Sequence, residues 1–252
     1  MLPIVDFYFF SPTGGTKKAG ELFCKSIARN INYIDLTVPK NSYGEAKSDV
    51  AVFAAPVYAG RIPGIAANRF SKINGQGKKA ITLVAYGVRG YDDALLELND
   101  LASGAGFDIV ASGALIAQHS IVKEVGAGRP DAKDAAAIQA FGKNVLQKLS
   151  ASSSGSFVVP GNRPYREGMN VPFSPISLPH CIECGFCTFA CPTNALQKFN
   201  GLNTNVDTCI LCMACVSKCP RNARALPTHL QDSMNQKLLE LKNLYLDNQF
   251  FL

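Results

Sequence analysis

The stretch CIECGFCTFACP, residues 181–192, returns 28 residues later as CILCMACVSKCP, residues 209–220. Each copy reads C-x2-C-x2-C-x3-C-P. Three thiols spaced by three residues can wrap one face of an inorganic cluster within a short loop, with the intervening amides turned toward its sulfurs. The fourth Cys of each block starts a helix past that loop, too far round to close the same cluster, and in two-cluster proteins it ligates the other one. The proline after it tolerates a lost amide and turns the chain. Crossed ligand sets follow. Cys181, Cys184, Cys187 and Cys219 are expected on one [4Fe–4S] cluster, and Cys191, Cys209, Cys212 and Cys215 on the other. Ile182, Phe186, Phe189, Ile210 and Leu211 are expected to shield the clusters from water. A zinc ribbon needs only paired C-x2-C knuckles, with no third Cys, no Cys-Pro and no second copy of the block. Disulfides would need a secreted context that the sequence does not suggest.

Upstream of the blocks the composition changes. Residues 150–156 are Ser-rich, and residues 160–179 hold Pro160, Pro164, Pro172, Pro175 and Pro179. This reads as an extended linker, 150–179. Its Tyr165, Phe173 and Ile176 are expected to pack on a neighbour. Residues 180–226 form the cysteine module. The tail, 227–252, reads as a C-terminal helix, with Leu238, Leu239, Leu241 and Leu244 at helical spacing.

Residues 1–149 alternate strand and helix. Pro3–Phe10 is a nearly unbroken apolar run, as in a parallel strand buried on both faces. It lacks a basic lead and a cleavage site, so a buried strand is expected rather than a signal peptide. Further strands are expected at 31–36, 49–55, 80–85 and 108–118, and helices at 17–29, 92–102 and 131–149. The fold class is therefore α/β, a doubly wound parallel sheet of five strands beside a small α+β cysteine domain.

The charge is +6, but it is spread: 17 basic and 13 acidic residues lie in 1–150, and 8 and 6 in 151–252. No basic stripe emerges, so nucleic acid is not an expected partner. Anionic cofactors would offset the excess. No apolar run reaches the roughly 20 residues of a membrane span, and a cytoplasmic address is expected. Cys24, the ninth cysteine, is expected to be a small buried hydrophobe. His119, His180 and His229 are isolated and read as structural; no residue stands out as a catalytic acid or base.

Three loops carry the remaining chemistry. Ser11, Thr13, Gly14, Gly15 and Thr16 open a helix after the first strand, where hydroxyls and free amides suit a phosphate. The loop is neither a P-loop nor G-x-G-x-x-G. Pro56, Val57, Tyr58, Ala59, Gly60 and Arg61 follow the third strand. Gly87, Val88, Arg89, Gly90, Tyr91 and Asp92 follow the fourth. Both lie at carboxyl ends of strands, where open α/β sheets bind ligands. Together they suit a planar phosphorylated ligand.

The module over 180–226 resembles the bacterial 2[4Fe–4S] ferredoxins, which implies one-electron transfer at each cluster. Residues 1–149 resemble the flavodoxins, which implies a five-stranded sheet of order 2-1-3-4-5 and bound FMN. Ser11 to Thr16 would hold its phosphate. Tyr58, Ala59, Gly60, Gly87, Arg89 and Tyr91 would line its ring, and a peptide near Ala59 and Gly60 would flip on reduction. The domain departs from that family in its net positive charge and in Gly15, where Asn is usual. The whole chain is similar to flavodoxin–ferredoxin fusion proteins.

The leading expectation is a carrier joining FMN to two [4Fe–4S] clusters, serving redox partner proteins and coupling one- and two-electron donors, in an anaerobic setting. The alternatives are a flavin-dependent reductase acting on a small molecule at the FMN, and a binding module that has lost FMN. Whether flavin and cluster meet within one chain or across a homodimer is left open by the sequence.

Overall fold

The computed structural model describes residues 1–39, 43–151, 157–169, 172–196 and 203–252. Most of the Ser-rich stretch, 152–156, lies outside the described residues.

Five parallel strands form the centre of the molecule: β1 (Leu2–Phe9), β2 (Ala28–Asp35), β3 (Val50–Pro56), β4 (Lys79–Tyr86) and β5 (Asp108–Ile116). β3 is buried along its whole length, as expected of an apolar run covered on both faces. The strand order is β2-β1-β3-β4-β5, the flavodoxin-like winding with its switch point between β1 and β3.

Helices α1 (Gly15–Ile27) and α4 (Ala132–Ser150) cover one face, and α2 (Gly64–Phe70) and α3 (Ala94–Gly104) the other. Phe7, Phe23, Ile27, Ile138 and Phe141 fill the first core. Tyr8, Phe53, Phe70, Leu95 and Leu98 fill the second. Helix α2 has no counterpart in the sequence reading; its seven residues are too few for a clear helical period. Cys24 is fully buried, and that burial pushes its thiol well above the usual range.

Among the described residues, the small domain holds a two-stranded antiparallel sheet and two short helices. These are β6 (Ile176–Ser177), α5 (Phe186–Ala190), α6 (Ala214–Ser217) and β7 (Arg224–Ala225). The sequence repeat is also a repeat of backbone shape. Left-handed residues occur at Glu183 and Leu211, at Gly185 and Met213, and at Asn194 and Asn222, each pair 28 residues apart.

The tail differs from expectation. Helix α7 covers only Thr228–Lys237, a 3₁₀ turn follows at Leu239–Asn243, and Gln249–Phe251 forms a further strand, β8. β8 lies antiparallel to β5 and makes the sheet six-stranded. The leucine stripe splits accordingly. Leu238 and Leu241 pack on the second core, while Leu239 and Leu244 are exposed. Period two takes over at the end: Phe250 packs into the first core, stacked on Phe141 at 4.4 Å, and Phe251 into the second.

The linker is pinned across α3. Asp93 accepts from the backbone of Asn162 at 2.8 Å and of Arg166 at 2.7 Å. Arg163 forks onto Asp100, which also accepts from the Tyr165 hydroxyl. No helix among the described residues is long and apolar enough to cross a membrane.

Candidate functional site

A cavity of about 360 Å³ opens at the carboxyl ends of the parallel strands. Thr13, Gly15 and Thr16 contribute from the loop into α1, and Pro56, Val57, Tyr58 and Ala59 from the loop after β3. Gly87 and Arg89 contribute from the loop after β4. The Ser11 hydroxyl accepts from the Lys17 amide at 2.9 Å, which fixes the entry into the helix. By helix geometry the amides of Gly15 and Thr16 have no intrahelical acceptor and suit an anion. Arg61 forks onto Glu97 at 2.8 and 2.9 Å, and Glu97 also accepts from the Ile62 amide at 3.0 Å, so the Tyr58 loop is braced. A cavity of this kind, with hydroxyls and free amides at one end and Tyr58, Tyr86 and apolar groups beyond, fits a flat ring carrying a phosphate.

Several expected residues stand back from the cavity. Tyr91 is buried beside Tyr86, ring centroids 5.2 Å apart, and its hydroxyl donates to Gln249 of β8. It is part of the core rather than a flavin-facing ring, because the tail strand supplies its polar partner. Val88 is also core. Asp92 is taken by Arg89 and Arg166, and Gly60 lies against the Asp92 side chain. Ser11, Gly14 and Gly90 are not among the lining residues.

The sequence reading does not place the other lining residues at this cavity. Ala117 to Ile121 line the cavity from the loop after β5. Their signal was the same as for the other two loops, a position past the carboxyl end of a strand. Arg166 and Met169 come from the linker, Met234 and Leu238 from the tail, and Leu211 from the cysteine domain. No local pattern marks these five, since only tertiary packing brings them here. His119 is half-buried, which lowers its pKa, and its Nδ1 accepts from the amides of Ile121 and Val122.

Leu211 connects this cavity to the cysteines. Its neighbour Cys212 lies within electrostatic reach of Tyr58, whose hydroxyl burial holds well above its usual pKa, with Cys212 adding to the rise. Leu211 and Met213 are buried against Leu226 and pack on Ile121. Arg69 of α2 donates to the Pro192 carbonyl at 2.6 Å.

The expected crossed set of Cys191, Cys209, Cys212 and Cys215 lines a single cavity with Leu196, Ile210 and Thr204 between. Burial pushes the Cys212 thiol up to about 12, and Cys215, Cys191 and Cys209 add to the rise. Bound iron would override this, because a coordinating thiol loses its proton. Amides point at sulfur in matching places: Ala195 donates to Cys191 and Ala223 to Cys219, both at 3.2 Å. Among the described residues no three His, Cys, Asp or Glu converge as a lone metal ion requires. A cluster of four irons is larger and needs its thiols set apart. Soft thiol donors of this kind suit [4Fe–4S] clusters.

Shielding is unequal. Leu211 is buried, but Ile182, Phe186 and Phe189 are 59%, 59% and 76% exposed, and Cys184 is exposed. The second copy is covered by the parallel-sheet domain, whereas these side chains of the first copy face outward.

Residues 180–224 match the family described as the 4Fe-4S dicluster domain. The chain is thus a fusion of a flavodoxin-like fold with a 4Fe-4S dicluster domain. The flavodoxin-like half of the fusion rests on its strand order. Solved structures similar to the fusion include rubredoxin oxygen:oxidoreductase from the anaerobe Desulfovibrio gigas, 18% identical with TM-score 0.44 over 60% of this chain and 37% of that one. The fusion thus spans little more than a third of that protein's length. Flavodoxin 1 from Bacillus cereus is 17% identical with TM-score 0.42, over 57% of this chain and 97% of its own. A short-chain flavodoxin associated with a non-canonical PDU bacterial microcompartment is 14% identical with TM-score 0.43, over 59% of this chain and 99% of its own. No curated protein matches the fusion.

Proposed function

We propose that the fusion carries electrons between FMN and two [4Fe–4S] clusters within one chain, coupling one- and two-electron partners. FMN exchanges one or two electrons when bound, and each cluster exchanges one. The observation that carries this reading is a shared wall. Leu211 lines the cavity formed by the three flavodoxin-like loops, and Cys212 beside it approaches Tyr58.

The chain's own groups have definable tasks. Thr13, Thr16 and the first amides of α1 would hold phosphate. Tyr58 and Tyr86 would border the ring. Leu211, Met234 and Leu238 exclude water on the cysteine-domain side. Because linker and tail both contribute walls, a relay is favoured over a reductase with an open substrate pocket. Exposure of Cys184, with Phe186 and Phe189 beside it in sequence, supports the first set as the side that meets a redox partner protein. Eight thiols that must stay reduced until the clusters are built suit a cytoplasmic setting.

Anaerobic preparations should contain about eight irons and a single FMN per chain. In rapid mixing, Cys212→Ser should retain FMN but lose fast exchange between flavin and clusters. Iron without flavin, or unchanged exchange in Cys212→Ser, would sink the proposal.

A further inference from the structure

The cavity at the strand ends carries charge of one sign. Among the described residues that line it, Arg89 and Arg166 are charged, and none is Asp or Glu. His119 lines it too, but its Nδ1 accepts from two amides, so that ring is neutral. The two guanidiniums come from distant parts of the chain, the loop after β4 and the linker. Asp92 joins them: its Oδ2 accepts from Arg89 Nη2 at 2.6 Å and also from Arg166 Nη1. One carboxylate shared by two guanidiniums leaves one positive charge in excess. Asp93 and Glu97 are not in the lining and are held elsewhere, Asp93 by the amides of Asn162 and Arg166 and Glu97 by Arg61.

Both arginines are built into the cavity wall. Val88 takes a left-handed φ of 66°, rare for a β-branched residue, with its side chain in the core and Arg89 next to it at the cavity. Arg166 is fixed through its backbone, since its amide donates to Asp93 at 2.7 Å and its carbonyl accepts from Arg61. The pair also stands apart from the anion-binding end. Helix α1 opens after β1, whereas Arg89 follows β4, two strands across the sheet, which is roughly 10 Å at the usual strand spacing. With a phosphate at α1, the guanidiniums are left to the ring.

Two electrons and one proton added to an oxidised flavin ring leave it one charge more negative. A nearby positive charge favours the more negative form of a group, and charge beside the ring is one means by which a protein tunes a flavin. We propose that Arg89 and Arg166, tethered by Asp92, raise the potential of the bound flavin by favouring its anionic reduced ring. The electrons come from the two clusters, one from each, and the proton from solvent. The flavin is then the electron sink of the chain. The proposal rests on the reading of this cavity as an FMN site.

The test is an anaerobic redox titration of the full chain loaded with FMN, beside dissociation constants for oxidised and reduced FMN. Cluster absorbance is subtracted with a flavin-free sample of the same protein. The parent should bind reduced FMN more tightly than oxidised FMN; the reverse order overturns the proposal. In Arg89→Gln and in Arg166→Gln the reduced-to-oxidised ratio, read at the parent's midpoint, should fall roughly tenfold, about 30 mV for a two-electron couple. Arg89→Lys should stay nearer the parent. Asp92→Asn removes the shared anion and should move the midpoint the opposite way, upward. A fall in Asp92→Asn as well would make packing rather than charge the cause and overturns the proposal. Equal weakening of both FMN forms with an unmoved midpoint would put the guanidiniums on the phosphate and overturns it too. A parent that takes up no FMN would overturn the reading of the cavity itself. If the arginine variants hold no FMN, the parent's order of affinities and the sign of the Asp92→Asn shift decide.

Discussion

Arg69, on the helix after β3, donates from Nη2 to the carbonyl of Pro192, the residue after a cysteine of the second set, at 2.6 Å. Its Nη1 donates to the carbonyls of Leu36 and Thr37, each at 2.8 Å. One buried guanidinium thus ties the end of β2 to the cysteine domain. Arg69→Met keeps the length but leaves these carbonyls without their donor, at about 1–3 kcal/mol for each that stays dry. Urea unfolding should show that loss. Flavin–cluster exchange should also slow, because the seam at Leu211 loosens. Unchanged exchange with the same urea midpoint would mean that Arg69 does not join the domains.

Gly60 and Gly14 separate two costs. Both are left-handed, at φ 85° and 92°. A Cβ at Gly14 would meet nothing within 4 Å, but at Gly60 it would fall 2.1 Å from the Asp92 carboxylate. Gly14→Ala should cost backbone strain alone, about 1–2 kcal/mol. Gly60→Ala should cost roughly a further 1–3 kcal/mol from overpacking. Adding Asp92→Ala should recover most of that excess, less what Arg89 and Arg166 lose with their acceptor. Equal urea midpoints for the two alanine variants would refute the distinction.

His119 gives the cavity a pH dependence. Burial holds its pKa below the usual 6.5. Nδ1 accepts from the amides of Ile121 at 3.3 Å and Val122 at 3.0 Å, which requires an unprotonated Nδ1. The unfolded chain binds the proton near its ordinary pKa and the folded chain only at lower pH. The contribution is therefore fully present above about pH 6.5 and is lost as pH falls through the lowered value. The urea midpoint of the parent should drop across that window. His119→Asn, whose Oδ1 can take the place of Nδ1, should drop less. Parallel pH profiles would exclude His119 as the source.

Much of this was legible from local pattern. The β1, β3 and β4 runs are apolar enough to announce a sheet covered on both sides, and the loops after them fall where such sheets bind ligands. The cysteine spacing announces its ligands because thiol positions and loop geometry are both local. A Tyr in a strand-end loop looks free, so the sequence puts Tyr91 on the flavin, whereas its partner Gln249 lies 158 residues away. The β8 strand is three residues long and follows a leucine stripe, so helical period masks it until Phe250 and Phe251 meet opposite cores. What escaped is what long-range packing decides.

That packing at the chain end depends on a buried pair. Arg129 forks onto Asp134 of α4, donates to the Leu246 carbonyl at 2.9 Å, and stacks 4.0 Å from the centre of the Tyr245 ring. Asn248 donates to Asp134 at 2.9 Å and accepts from the Ile116 amide at 2.8 Å, which holds β8 beside β5. Removing one partner of such a pair leaves the other as an uncompensated buried charge, so Asp134→Asn should cost about 3–5 kcal/mol. Amides of β5 from Ser112 to Ile116 should then exchange hydrogen faster, and Tyr91 should lose its Gln249 partner. Lys133 and Asp247 form a 2.8 Å pair in the same region, but both are exposed and screened. Lys133→Ala should leave the urea midpoint and the β5 exchange rates unchanged. If it matched Asp134→Asn, surface charge near α4 rather than the buried pair would be holding the tail strand.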